Sequence, residues 1–411
     1  MIATATERIV ANPLAGDPPV WEPHTRAPLD FHRRLPGYAP TPLVVIPSLA
    51  QRLGVREVLV KVESTRLGLP AFKMLGASWA TYRALVGRLG YEPSWGTVAD
   101  LAEQLRSLRP FTLAAATDGN HGQAVAVMAR LLGFDARIFV PEGTVAARIA
   151  SIAGEGATVT VVDGDYDATV ARSAQEAGPS CLVISDTSWP GYDQVPRWVV
   201  EGYSTMMWEI DDALARRRAS TDDRAVVPDA VIVPMGVGAL TAAVVNHWGR
   251  HDENGPHARG EIGSGRRDDS GHAGSERPHD SRPVVVGVEP VDAACIMASV
   301  LAGRITTVPG PHRSIMAGLN CGTPSPVAWP LVSAGVRTLV AVDDDRARQA
   351  VRDFAAFGVE AGETGAAALA GLTLLQSHDQ PLPATATVLL LCTEGATDRE
   401  GWWRILGVDV V

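Results

Sequence analysis

Four short strings contain the residue types that chemistry at an amine or carboxylate needs. In the first, Ser64–Ala80 (STRLGLPAFKMLGASWA), Lys73 stands between Phe72 and Met74 in a run with little other charge. Lysine heads are rarely buried unless paired or used covalently, and a desolvated lysine has the lowered pKa that lets its amine form a Schiff base. The same string also suits a lysine that snorkels from a helix start. The second, Ala115–Gly122 (AATDGNHG), follows a strand-like run and opens a helix. Its backbone N–H groups can hold a carboxylate or phosphate, or Thr117 or Asp118 can be a plain N-cap. The third, Ile232–Thr241 (IVPMGVGALT), runs from a strand through Gly236 and Gly238 into a helix. The two glycines clear side chains from a place where an anion must approach the backbone. The pattern is not the G-x-G-x-x-G of dinucleotide sites. The fourth, Thr387–Asp398 (TVLLLCTEGATD), ends a buried strand on Thr393 and Glu394, at the sheet edge where α/β proteins place ligands.

Parallel strands joined by helices can position such strings. Apolar, β-branched runs of strand length lie at Val58–Val62, Thr112–Ala116, Ala136–Val140, Thr158–Val162, Cys181–Ser185, Ala230–Pro234, Val284–Glu289 and Thr387–Cys392. Between them, Gly122–Leu132, Tyr166–Ala177 and Ala347–Phe357 have helical spacing. Continuous apolar strands alternating with helices predict an α/β fold with parallel sheets covered on both faces.

The 411 residues suggest two or three domains, and 46% hydrophobic with 20% charged residues is the balance of a soluble globular protein. Lys and Arg total 36 against 46 Asp and Glu, a net charge of −10 that argues against nucleic acid as a partner. Four cysteines without a C-x-x-C pair exclude a disulfide scaffold and the usual zinc spacing. The N-terminus shows no basic region followed by an apolar core. The apolar run Ala225–Val245 is broken by Pro228, Asp229, Pro234 and two glycines, so it predicts a strand and a helix start rather than a membrane span. The cytoplasm is the expected compartment. Residues 250–282 are almost devoid of apolar side chains and predict a mobile or disordered insertion. Its four histidines, His251, His257, His272 and His279, are irregularly spaced and read as solvated rather than metal-binding; no metal is expected.

In their order along the chain, the four strings resemble the tryptophan-synthase-β superfamily of pyridoxal-phosphate enzymes, fold type II. Within it the chain is most similar to the diaminopropionate ammonia-lyase family, from about Glu63 to Trp403. The likeness is carried by GLPAFKMLGASWA around Lys73, ATDGNHG around Asp118, and SDTSWPGYDQVPRWVVEGY from Ser185. GVEPVDAACIMAS, IMAGLNCGTPSPVAW, GETGAAAL and TEGATD extend it. Threonine dehydratases usually have serine where Asp118 stands. Pro70, Gly76-Ala77 and Trp79-Ala80 depart from the family pattern close to the lysine and bear on the substrate.

The resemblance implies two parallel-sheet α/β domains with pyridoxal 5′-phosphate in the cleft: a large domain of 1–86 with 198–411, and a small domain of 87–197. It implies that Lys73 carries the cofactor as a Schiff base beside Phe72, that Asn120 bonds the cofactor's 3′-oxygen, and that Gly236, Val237, Gly238, Ala239 and Leu240 cradle its phosphate. Thr393 would face the pyridine nitrogen without protonating it, which favours β-elimination or β-replacement over transamination. Lys73 and Asp118 would serve opposite faces of Cα, with Asp118 and Asp186 near a β-ammonium. The implied reaction is elimination of ammonia from 2,3-diaminopropionate, or a close β-substituted amino acid, giving pyruvate and ammonia. A serine/threonine-type dehydratase, a β-replacement synthase and a catalytically silent homologue are the alternatives. The resemblance also implies a homodimer. It places Cys295 and Cys321 where the family has a cysteine pair, which a cytoplasmic setting would leave unlinked.

Overall fold

The computed structural model describes residues 6–408, apart from 23, 118, 221–226 and 250–281. Asp118 is therefore outside the described residues, and so is the expected insertion except for Arg282. Eleven strands appear among the described residues: β1 (Arg8–Ala11), β2 (Leu43–Val45), β3 (Glu57–Val62), β4 (Thr112–Ala116), β5 (Asp135–Pro141), β6 (Thr158–Val162), β7 (Cys181–Val183), β8 (Ala230–Pro234), β9 (Val284–Pro290), β10 (Val336–Val342) and β11 (Thr387–Cys392). They form two sheets. One has the order β1-β10-β9-β8-β11-β3-β2; its inner strands run parallel, and β1 and β2 are antiparallel edges. The other, β6-β5-β4-β7, is parallel throughout.

The apolar runs are strands because both of their faces are covered. Every residue of β4, β8 and β11 is buried, whereas β6, at a sheet edge, keeps exposed positions. All four strands of the second sheet come from the chain between Thr112 and Val183, and no strand of the first does. The expected boundaries at 86 and 198 both fall inside helices, Lys73–Leu89 and Gln194–Ser220. Ala225–Val245 contains β8, a turn and the start of the helix Ala239–Trp248, and no described helix is long and apolar enough to cross a membrane.

The helix Lys73–Leu89 lies against Gln194–Ser220 at a crossing that leaves no room for side chains. A Cβ on Gly202 would stand 2.5 Å from the Leu75 carbonyl oxygen and 2.9 Å from Trp79 Cβ. A Cβ on Gly76 would meet the Tyr203 ring at 2.5 Å and Val199 at 2.7 Å. At Gly202 the obstacle is backbone, which cannot turn aside. Gly202→Ala should therefore push the two helices apart and cost about 1–3 kcal/mol, the usual scale of overpacking, read as a lower midpoint in urea unfolding.

Candidate active site

Four segments converge between the two sheets, each following the carboxyl end of a parallel strand: Gly119 and Asn120 after β4, 184–186 after β7, 235–238 after β8 and 393–398 after β11. Lys73 approaches from the first turn of its own helix. Its Nζ donates to Asp186 Oδ2 at 2.6 Å, and the Tyr166 hydroxyl donates to Asp186 Oδ1 at 3.0 Å. Burial opposes the charge on Asp186, which is 3% exposed. Lys73, His121 and the Tyr166 hydroxyl outweigh it and hold the carboxyl well below the ordinary range. His121 is itself fixed by donating from Nε2 to the Ile184 carbonyl at 2.8 Å. Lys73 Nζ also stands 5.4 Å from the centre of the Phe72 ring.

A small cavity surrounds this pair. Phe72, Lys73, Asn120, Asp186, Gly236, Val237, Gly238, Ala239, Leu240 and Thr393 all line it, so every expected site residue except the undescribed Asp118 meets in one place. Gly238 takes φ +93°, a left-handed conformation that starts the helix Ala239–Trp248 and that side chains strain to adopt. The backbone of that turn is thereby aimed at the cavity from a helix N-terminus. At the β4 turn, the Gly119 N–H donates to Thr117 Oγ1 at 2.9 Å.

The structure adds Tyr166 and Asn320 to the expected site residues and gives partners to Glu394, which the sequence marked only as a strand-end group. Glu394 reaches the cavity and accepts from Asn120 Nδ2 and from the Thr364 N–H. Tyr166 and Asn320 line both this cavity and a wider cleft that adjoins it. Cys321 lines the cavity behind Gly236, while Cys295 Sγ lies 3.8 Å from the Gly236 carbonyl; both thiols are buried, as are Cys181 and Cys392. Among the described residues no cluster of His, Cys, Asp and Glu could hold a metal.

The family profile "Pyridoxal-phosphate dependent enzyme" matches residues 34–394. The diaminopropionate ammonia-lyase of Escherichia coli K12 is 32% identical over 392 residues, covering 91% of this chain and 90% of that protein. The Salmonella typhimurium diaminopropionate ammonia-lyase is 32% identical over 393 residues, covering 90% and 89%. A crystal structure of the Escherichia coli enzyme in complex with D-serine superposes with a TM-score of 0.80 at 29% identity, covering 98% of this chain and 97% of that one.

Pyridoxal phosphate fits the residues present on three counts. The Thr393 hydroxyl is buried in the cavity wall and has no hydrogen-bond partner among the described residues, so it can serve a neutral ring nitrogen. A Cβ on Gly236 would press on Cys321 Sγ at 3.1 Å and the Gly318 carbonyl at 3.2 Å, so the cradle is closed to side chains there. The third is a lysine amine in the same cavity.

Removing the lysine would strand a buried carboxylate. In the cofactor-free protein, Lys73→Met should cost about 3–5 kcal/mol at neutral pH. Asp186 has a depressed folded-state pKa, so its contribution is present above the ordinary carboxylate pKa and lost as pH falls below it toward the depressed folded value. The difference between Lys73→Met and the parent protein should therefore shrink as pH falls below about 4, as measured by urea unfolding at each pH.

Proposed function

The chain belongs to the pyridoxal-phosphate dependent enzymes and, within them, to the diaminopropionate ammonia-lyase family, and from that premise we propose that it eliminates ammonia from 2,3-diaminopropionate to give pyruvate and ammonia. The observation that carries this reading is the Lys73–Asp186 pair, an amine and a carboxylate 2.6 Å apart in a cavity that also holds Thr393 and the 236–240 turn. Loss of a β-amine breaks the Cβ–N bond with the electron pair going to nitrogen. The group must leave from its ammonium form, and a carboxylate beside it favours that form.

When bound, pyridoxal phosphate supplies an electron sink for the charge left at Cα. Lys73 would hold the cofactor and take the Cα proton on one face, and Phe72 would flank it. The N–H groups of Gly236–Leu240 would hold the phosphate, Asn120 the 3′-oxygen and Thr393 the ring nitrogen. Asp186 would partner the β-ammonium, and Asp118 would take the Cα proton of the opposite enantiomer. Residues 87–197 would form the small domain beside a large domain of 1–86 with 198–411. The protein would act as a cytoplasmic homodimer on a free amino acid; a monomeric mass in solution would count against the dimer.

Measuring pyruvate release from 2,3-diaminopropionate, serine and threonine in parallel tests the substrate; faster turnover of serine or threonine would make the protein a dehydratase. Lys73→Ala should lose the visible absorbance of the lysine-bound cofactor together with turnover, by several orders of magnitude, because binding energy does not replace a covalent role.

Asp118→Asn preserves shape and hydrogen bonding but removes a proton acceptor. Turnover of one diaminopropionate enantiomer should fall about 10²–10⁴-fold, and that of the enantiomer served by Lys73 much less. Equal small losses for both would leave Asp118 as a helix cap.

A further inference from the structure

We propose that Glu394 is a positioning residue that fixes which end of the Asn120 amide faces the cofactor. The inference rests on the proposed contact between Asn120 and the cofactor's 3′-oxygen and says what sets that contact up. Glu394 is 1% exposed and lies just beyond β11, held by backbone on several sides. Ala71 and Glu394 form an antiparallel bridge, the Phe72 N–H donates to the Thr393 carbonyl at 3.1 Å, and the Gly362 N–H donates to the Glu394 carbonyl at 3.1 Å. Gly365 leaves the space this turn needs, since a Cβ there would stand 3.0 Å from the Glu394 nitrogen.

From this fixed backbone the carboxylate reaches across the cleft. Oε1 accepts the Thr364 N–H at 3.3 Å and Oε2 accepts from Asn120 Nδ2, at the start of the helix Asn120–Leu132 on the other sheet. An asparagine amide has an N–H₂ end and a carbonyl end of nearly the same shape, and only the N–H₂ end can face a carboxylate. Glu394 takes one of the two protons and leaves the second, on the same nitrogen, for an acceptor in the cavity. A phenolic oxygen is such an acceptor. With the amide reversed, a carbonyl oxygen would meet it instead and repel it.

Glu394→Gln tests this with little change of volume. The Gln carbonyl can go on accepting from Thr364, which turns its own N–H₂ toward Asn120 and draws the Asn120 carbonyl round to meet it. Equilibrium dialysis of the pyridoxal-phosphate-loaded protein should show cofactor retention weakened about 10- to 100-fold, the loss of one charge-assisted hydrogen bond. Asn120→Ala should weaken retention on the same scale. In the Asn120→Ala background, Glu394→Gln should add no more than about twofold, because a residue that acts through another has nothing left to act on. Additive losses would overturn the proposal by giving Glu394 a role of its own, and so would unchanged retention in Glu394→Gln. Unchanged retention in Asn120→Ala would overturn the Asn120 contact and the proposal with it. Glu394→Asp, one methylene shorter, keeps the charge but loses the reach. It should weaken retention as Gln does, and it is the variant to read if Gln does not fold; retention at the parent level would make charge alone sufficient and overturn the proposal.

Discussion

An ammonium group and a carboxylate 2.6 Å apart, both largely removed from water, constrain everything around them. Neither charge is tolerable there alone, so the elements that supply them must stay in register. Lys73 comes from the helix that follows β3 of the seven-stranded sheet in the chain, and Asp186 from the turn beyond β7 of the four-stranded sheet. The contact between them ties the two sheets together at the point where the carboxyl ends of β4, β7, β8 and β11 converge. Open parallel sheets offer ligands such crevices, because the turns leaving the strands expose backbone N–H groups and polar side chains. Here two sheets share one crevice, and the ion pair sits where they meet.

The approach to Lys73 is held by a second buried ionic group. Arg66, with no exposed side-chain surface, donates to Glu63 at 2.7 and 2.8 Å and to Glu209 at 2.7 and 2.8 Å. Lys61 Nζ donates to Glu209 at 2.6 Å and to the Thr41 carbonyl at 2.8 Å. Burial disfavours the Glu209 charge, but hydrogen bonds and attraction from Arg66, with Lys61 behind them, hold its carboxyl down at about 2. Two cations and two anions balance, and Glu209 belongs to the helix Gln194–Ser220 that carries Lys73's helix at the Gly202 crossing. The network therefore pins β3, the loop after it and that helix to one another. Within the pinned loop Leu67 takes φ +53°, which costs a branched side chain energy and persists only where neighbours over-determine it. Arg66, next in the chain, supplies that restraint.

Much of the site was legible because its parts are local. Lys73 between apolar neighbours, the Gly236–Gly238 turn and the Thr393 strand end each advertise their geometry within ten residues, and the strands with two buried faces stand out as apolar runs. β1 and β2 escaped notice because they are short antiparallel edges, and β10 because Arg337 and Thr338 interrupt its apolar run. The role of Glu394 was hidden for a different reason. Its partner Asn120 is 274 residues away, and a carboxylate after a buried strand has the same one-dimensional signature whether it caps a strand, binds a ligand or steers a neighbouring amide. Tyr166 is similar: as the first residue of its helix it is unremarkable, and only β5, β4 and β7 lying side by side bring its hydroxyl to Asp186.

The balance of charge in the cavity bears on what leaves and not only on what binds. Among its described lining residues Lys73 is the one cation, and Asp186 and Glu394 are the carboxylates. Glu394 has one N–H donor on each oxygen, from Asn120 and from the Thr364 backbone. Asp186 is the carboxylate that Lys73 reaches. Its two oxygens each take one donor, Lys73 and the Tyr166 hydroxyl, while a carboxylate offers about four lone-pair directions in all. It can therefore take a further ammonium without losing its place. For a hydroxyl leaving group that spare capacity has no counterpart, and a buried carboxylate would only disfavour the partial negative charge growing on the departing oxygen. For an amine the sense reverses, since the group must depart from its ammonium form and a carboxylate favours that form until the bond breaks. With Asp186 in its proposed place beside the leaving group, the site would be biased toward nitrogen over oxygen, by the same charge that keeps Lys73 in position.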